Sequence, residues 1–172
     1  MRIERSALAL GLGAALLSVP VTATTAAPST GAGEAPRDAR ATRGAVTLAE
    51  VASRVEPSAT RLGDVKALLR EDTEAALSTI DWSPLRLRRR YALSASLVRL
   101  DTTSTGARTL AVSCTVSAAV RDADSGALQF IIEGRARAED AASSGARAER
   151  DALREAVRGA VIAVPEALRR TQ

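Results

Sequence analysis

The chain predicts an α+β fold: a two-layer sandwich in which an antiparallel sheet of three to four strands carries two helices packed on one face. Three observations predict it. Residues 110–120 and 128–138 alternate apolar and polar side chains with the period of a strand that buries one face. Between them lies Asp122-Ala123-Asp124-Ser125-Gly126, rich in residues that tolerate turn conformations. On either side run segments 64–80 and 146–168, whose apolar residues recur at helical spacing. One apolar face per strand and one stripe per helix bury one another most simply when both helices lie on the same side of the sheet.

The chain opens on residues that stand outside this fold. Arg2, Glu4 and Arg5 precede an apolar run from Ala7 to Val19, and Pro20 and the small residues Val21 to Ala27 follow. A charged start, a short apolar stretch and a small-residue zone make a secretory signal peptide. The run is shorter than the roughly 20 residues a membrane-spanning helix needs. Cleavage is expected after Ala23, and as late as residue 27. No cysteine follows the apolar run to carry a lipid, so a periplasmic or secreted product is expected. Residues 24–44 are Ala, Thr, Pro, Gly and Ser with scattered charge. They bury too little to offset their ordering entropy, and a flexible leader is expected there. A single domain over 45–172 remains.

Within it, 45–55 fits two templates. Ala49, Val51 and Val55 share strand parity, whereas Leu48, Val51 and Val55 share a helix face; an edge strand is the expectation. Asp64 is placed to cap a helix to about Ile80, with Val65, Leu68, Leu69, Ala76, Leu77 and Ile80 on one side. Tyr91 to Leu100 makes a strand whose alternation blurs at Leu97-Val98, the mark of a bulge or of burial on both sides. The two alternating segments then extend it to a three-stranded meander. Leu110, Val112, Cys114, Val116, Ala118 and Val120 form the inner face of the first, and Leu128, Phe130, Ile132, Gly134, Ala136 and Ala138 that of the second. The C-terminal helix puts Leu153, Ala156, Val157, Ala160, Val161, Val164 and Leu168 on its stripe and Arg147, Glu149, Arg150, Arg154, Glu155 and Arg158 outward. Pro165 should kink or split it. Trp82, Tyr91 and Phe130 are expected to plug the core.

Composition excludes much chemistry. The chain has no histidine and one cysteine. Imidazole catalysis, a disulfide framework and cysteine-rich metal sites are therefore closed to it. Neither Gly-x-Ser-x-Gly nor Ser-x-x-Lys occurs, the only lysine being Lys66. No cofactor is expected, nor catalysis. Beyond Arg2, Glu4 and Arg5 the charge is 22 basic against 19 acidic residues, too mild an excess for a nucleic-acid partner. Asp122-x-Asp124-x-Gly126 begins like a calcium loop but has no side chain at the fifth ligand position, so a hairpin turn explains it. Glu133, Arg135, Arg137 and Glu139 alternate on the outward face, where cross-strand pairing or solvation is expected. Cys114 shares the buried parity and is expected to be a small apolar plug; an intermolecular disulfide is the alternative.

One candidate binding site stands out: Arg86, Arg88, Arg89 and Arg90, just before Tyr91. Closely spaced guanidinium groups suit phosphate or carboxylate on a glycan, lipid or acidic protein. The competing reading is a solvated approach to the strand, paired to nearby carboxylates.

The order helix, strand from Tyr91, long hairpin about Asp-Ser-Gly and Ala-rich helix resembles a group of bacterial envelope domains. These are the periplasmic domains of the curli-secretion lipoprotein, of lipoprotein activators of penicillin-binding proteins, and the N-terminal part of the Tol-Pal translocation protein. The resemblance spans about Asp64 to Leu168, is one of topology, and carries no functional residue over. It implies a domain that binds other envelope proteins and is not an enzyme. The lipid-bearing cysteine of the lipoprotein members has no counterpart here. The expectation is an exported, non-catalytic interaction module using the sheet face away from the helices together with Arg86 to Arg90. Two alternatives stay open: a small-ligand or lipid carrier with a cavity under the Ala-rich helix, and an enzyme using carboxylates and arginine.

Overall fold

Three long strands form the frame. The computed structural model describes residues 46–171; the segments expected to be signal peptide and leader, Ala45 and the final residue lie outside them. Strands β2 (Tyr91–Ser104), β3 (Thr109–Asp122) and β4 (Leu128–Ala141) run as an antiparallel meander. Leu93 faces Val120, Leu97 faces Val116 and Leu100 faces Cys114, all on the inner side. The register slips between Leu97 and Arg99, so Val98 is the extra residue of a bulge. That is where the alternation blurs: the bulge restores Leu100 to the inner face after two adjacent apolar residues.

A fourth strand, β1 (Val46–Ser53), pairs with β2 at the sheet edge, giving the order β1-β2-β3-β4. It runs parallel to β2, so the sheet is mixed where an antiparallel one was expected. The reason is the connection. Helix α1 (Val65–Ser78) lies between them and carries the chain back to the starting end, as a parallel crossover requires. A bulge at Ala49 moves the inner positions from Val46 and Leu48 to Val51. This phase change is why neither template fits the segment cleanly.

Helices α1 and α2 (Gly145–Ile162) cover one face. Asp64 caps α1, its Oδ1 accepting from the Ala67 amide at 3.0 Å. Leu69, Leu153 and Val157 are buried against Leu93, Leu97, Val112, Val116 and Val120. Each such side chain contributes on the order of 1.5–3 kcal/mol of transfer free energy. The C-terminal helix is split, with α3 (Val164–Thr171) restarting so that Pro165 sits in its first turn, where its missing amide costs nothing. Val164 and Leu168 still reach the core. Tyr91 is buried, and Trp82 and Phe130 pack partly buried against the same core.

Helix α2 comes unusually close to the edge strand. A Cβ at Gly134 would lie 1.9 Å from the carbonyl oxygen of Ala156 and 2.6 Å from the amide nitrogen of Ala160. The small residues of α2 thus let its backbone settle on the sheet at this point, where the carrier reading would leave a cavity.

Three inward and outward assignments change, one of them Arg150, whose side chain is 20% exposed and turns to Asp72 of α1. Leu128 is 48% exposed, because a bulge at Gln129 sets Arg121 opposite Leu128 and turns that side chain to the open face. Glu149 is buried, not outward. It stands one helical turn before Leu153 and so belongs to the inner stripe.

Candidate functional site

The arginine run sits on a turn that the sequence builds from two anchors. Leu85 and Leu87 are buried, and the residues between and after them, Arg86, Arg88, Arg89 and Arg90, are exposed. Arg86 closes a short 3-10 turn over Ser83–Leu85 in the left-handed region, φ 43° and ψ 44°. For a residue with a Cβ this conformation costs about 1–2 kcal/mol, so the turn is held against a local penalty.

The four arginines divide into two pairs. Arg89 donates to Asp122 at 3.3 Å and Arg90 to Asp124 at 2.5 Å, tying the turn to the β3–β4 hairpin. Arg86 and Arg88 have no ion-pair partner among the described residues. They line a cleft of about 580 Å³ with Arg89, Tyr91, Gln129 and Thr171, beside Leu85. Arg90 is not in its wall. The structure therefore gathers three of the four candidate residues and assigns the fourth to the hairpin.

The Asp122 to Gly126 segment is a turn and holds its own carboxylate. Asp122 Oδ1 accepts from the Ser125 amide at 2.8 Å, the Ser125 hydroxyl at 2.9 Å and the Asp124 amide at 3.1 Å. Gly126 takes φ 72°, and its amide donates to the Asp122 carbonyl. The hydrogen bonds from Ser125, foremost its amide, hold the Asp122 carboxyl below its ordinary 3.8. Its Oδ1 is spent on the loop and its Oδ2 on Arg89.

The sheet surface away from the helices carries Ser94 and Ser96 on β2 and Ser117 and Ala119 on β3. Glu133 and Ile131 face these on β4. Ile131 is 58% exposed. Glu133 and Arg135, and Arg137 and Glu139, pair along β4 at 2.7 Å each. The pairing expected across strands runs instead between residues two apart on one strand, because the opposing β3 positions are Ser113, Thr115, Ser117 and Ala111.

Cys114 is buried on the inner face, and desolvation pushes its thiol up to about 12. It is an apolar plug, as its parity implies.

Two polar clusters went unread in the sequence. Glu149 accepts from the Arg61 amide at 2.7 Å, the Thr60 hydroxyl at 2.8 Å and Arg61 Nη1 at 3.1 Å. It fastens the loop after β1 to α2. Asp72, on the inner side of α1, pairs with Arg150, and Arg154 lies 3.7 Å from it, joining the two helices. Helical spacing was the available signal: Asp72 follows Leu69 by three, and Glu149 precedes Leu153 by four. Both clusters are internally satisfied.

No protein-family model matches the chain, and no curated protein matches it in sequence. Among solved structures it is similar to protein XCC0632 from Xanthomonas campestris, of the family DUF330. The two share 12% identity over 74% of this chain and 86% of that one, with a TM-score of 0.52. That likeness shows a common fold. It is also similar to the hypothetical protein CT253 from Chlamydia trachomatis, at 16% identity over 74% of this chain and 98% of that one, TM-score 0.49. A minor lipoprotein from Acinetobacter baumannii gives 8% identity, coverage of 68% and 90%, and a TM-score of 0.43. Among the described residues no helix is long and apolar enough to cross a membrane.

Proposed function

We propose that this chain is an exported bacterial envelope protein that acts by binding another envelope component, without catalysis, through the open face of its sheet. One observation carries the reading. Both long helices lie on one side of four strands, which leaves the other side flat, lined with serine and alanine, and edged by the exposed Ile131 and Leu128. Small side chains let a second sheet approach the face closely, and the exposed apolar edge gains by being covered. The signal-peptide pattern supports export. The topological resemblance to the curli-secretion, penicillin-binding-protein-activator and Tol-Pal domains supports an envelope partner, with nucleic acid outside the reach of an exported chain.

A photo-crosslinking residue at Ser117, in the middle of the face, and another at Arg158, on the outer side of α2, test this in cells. Adducts of defined mass from Ser117 and none from Arg158 are expected. Equal yields at the two positions, or none at Ser117, would overturn it.

A further inference from the structure

We infer that the cleft beside Arg86 and Arg88 binds a phosphate monoester, free or borne on a lipid. The inference rests on the binding-module reading and adds to it a second surface and a ligand class. Charge is the first ground. Arg86 and Arg88 face one cavity with no acidic partner among the described residues, whereas Arg89 and Arg90 are matched to Asp122 and Asp124. Two unmatched guanidiniums balance the one-and-a-half to two negative charges of a phosphate monoester near neutral pH, which a carboxylate would leave half-compensated.

Donor number is the second ground. Tyr91 buries its ring, and its hydroxyl has no hydrogen-bond partner among the described residues; it lines the cleft with Gln129, whose amide donates one N–H to the Ala127 carbonyl and keeps the other, and with Thr171, whose hydroxyl is spent on the Leu168 carbonyl. With two arginine forks this is more donors than the two oxygens of a carboxylate take up, and it suits the three free oxygens of a phosphate. Construction is the third. Leu85 and Leu87 pin the turn from below, Arg86 is held in a left-handed conformation, and Arg89 and Arg90 clamp its far end to the hairpin. A cation-bearing turn fastened at both ends is preorganised for its ligand, and backbone outliers of this kind gather at ligand clamps. The cavity falls in the range of small-ligand sites.

The experiment compares the whole exported chain with R86G/R88S, which removes both unmatched charges and relaxes the positive φ, and with R135S/R137S, which removes the same charge from the open face. Calorimetric titration with inorganic phosphate and glycerol phosphate reads the free ligand. Flotation with phosphatidylcholine vesicles, with and without phosphatidic acid, reads the lipid-borne one. Saturable binding in either arm, weakened tenfold or more in R86G/R88S and unchanged in R135S/R137S, is expected, and the responding arm identifies the source. No binding in either arm, or equal loss in both variants at unchanged melting temperature, would overturn the site. Either result leaves crosslinking from Ser117 as it was, so the two readings fail separately.

Discussion

Substituting Gly134 by alanine tests how α2 meets the sheet. The added Cβ would stand 1.9 Å from the Ala156 carbonyl oxygen and 2.6 Å from the Ala160 amide nitrogen, where ordinary contact begins at 3.4 Å. Both obstacles are backbone atoms, so no side chain can swing aside. The helix must lift from β4 by roughly 1.5 Å, which strips contacts from Leu153, Val157 and Val161 as well. Overpacking of this kind costs typically 1–3 kcal/mol, and a backbone obstacle puts it at the upper end, about 3 kcal/mol. For a domain of this size that lowers the melting temperature by about 10 °C. Gly159→Ala is the same chemical change at an exposed helical position with nothing within 4 Å. It should stabilise by about 1 kcal/mol, the helix propensity difference. Urea and thermal unfolding followed by circular dichroism read both. A Gly134→Ala cost under about 0.5 kcal/mol, or the same sign for both variants, would refute the close packing.

Cys114 should resist thiol reagents at pH 8, because its burial and a thiol pushed up to about 12 leave almost no accessible thiolate; its modification rate should track global unfolding under denaturant titration. Asp122 has its carboxyl held below the ordinary 3.8 in the folded chain. Its stabilisation is therefore complete above that value and lost as pH falls through the folded one, so Asp122→Asn should flatten the acid limb of the stability–pH curve measured between pH 6 and 2. Glu149→Ala strands the Arg61 amide and the Thr60 hydroxyl beside a buried position. A loss of about 2–3 kcal/mol is expected in urea unfolding, with proteolysis appearing first in the loop after β1.

Sequence pattern disclosed the parts of this fold that depend on local geometry. The inner faces of β3 and β4, the Asp64 cap, the blur at Val98 and the break at Pro165 each leave a signature within a few residues. What escaped depends on distant partners or on phase. The direction of β1 follows from where α1 leaves the chain, and its inner parity shifts at Ala49, so no single period describes it. The bulge at Gln129 reverses Leu128 in the same way. Glu149 reads as a surface charge, and Asp72 carries no reading of its own, until Thr60, Arg61 and Arg150 are seen to reach them from other elements. The arginine run was legible as a candidate, but its division was not: only the hairpin's return brings Asp122 and Asp124 to Arg89 and Arg90 and leaves Arg86 and Arg88 to the cleft.

Thiol accessibility in living cells puts the central claim to its most direct test. Ile131→Cys, on the open face, and Arg158→Cys, on the outer side of α2, are each made with Cys114→Ala and treated with a charged maleimide that does not cross the inner membrane. After purification the two positions should react at similar rates. In intact cells both should react without lysis, with the Ile131 position slowed several-fold by the component that covers it. Reaction only after lysis, or equal rates at the two positions in cells, would contradict an exported protein that binds through its sheet.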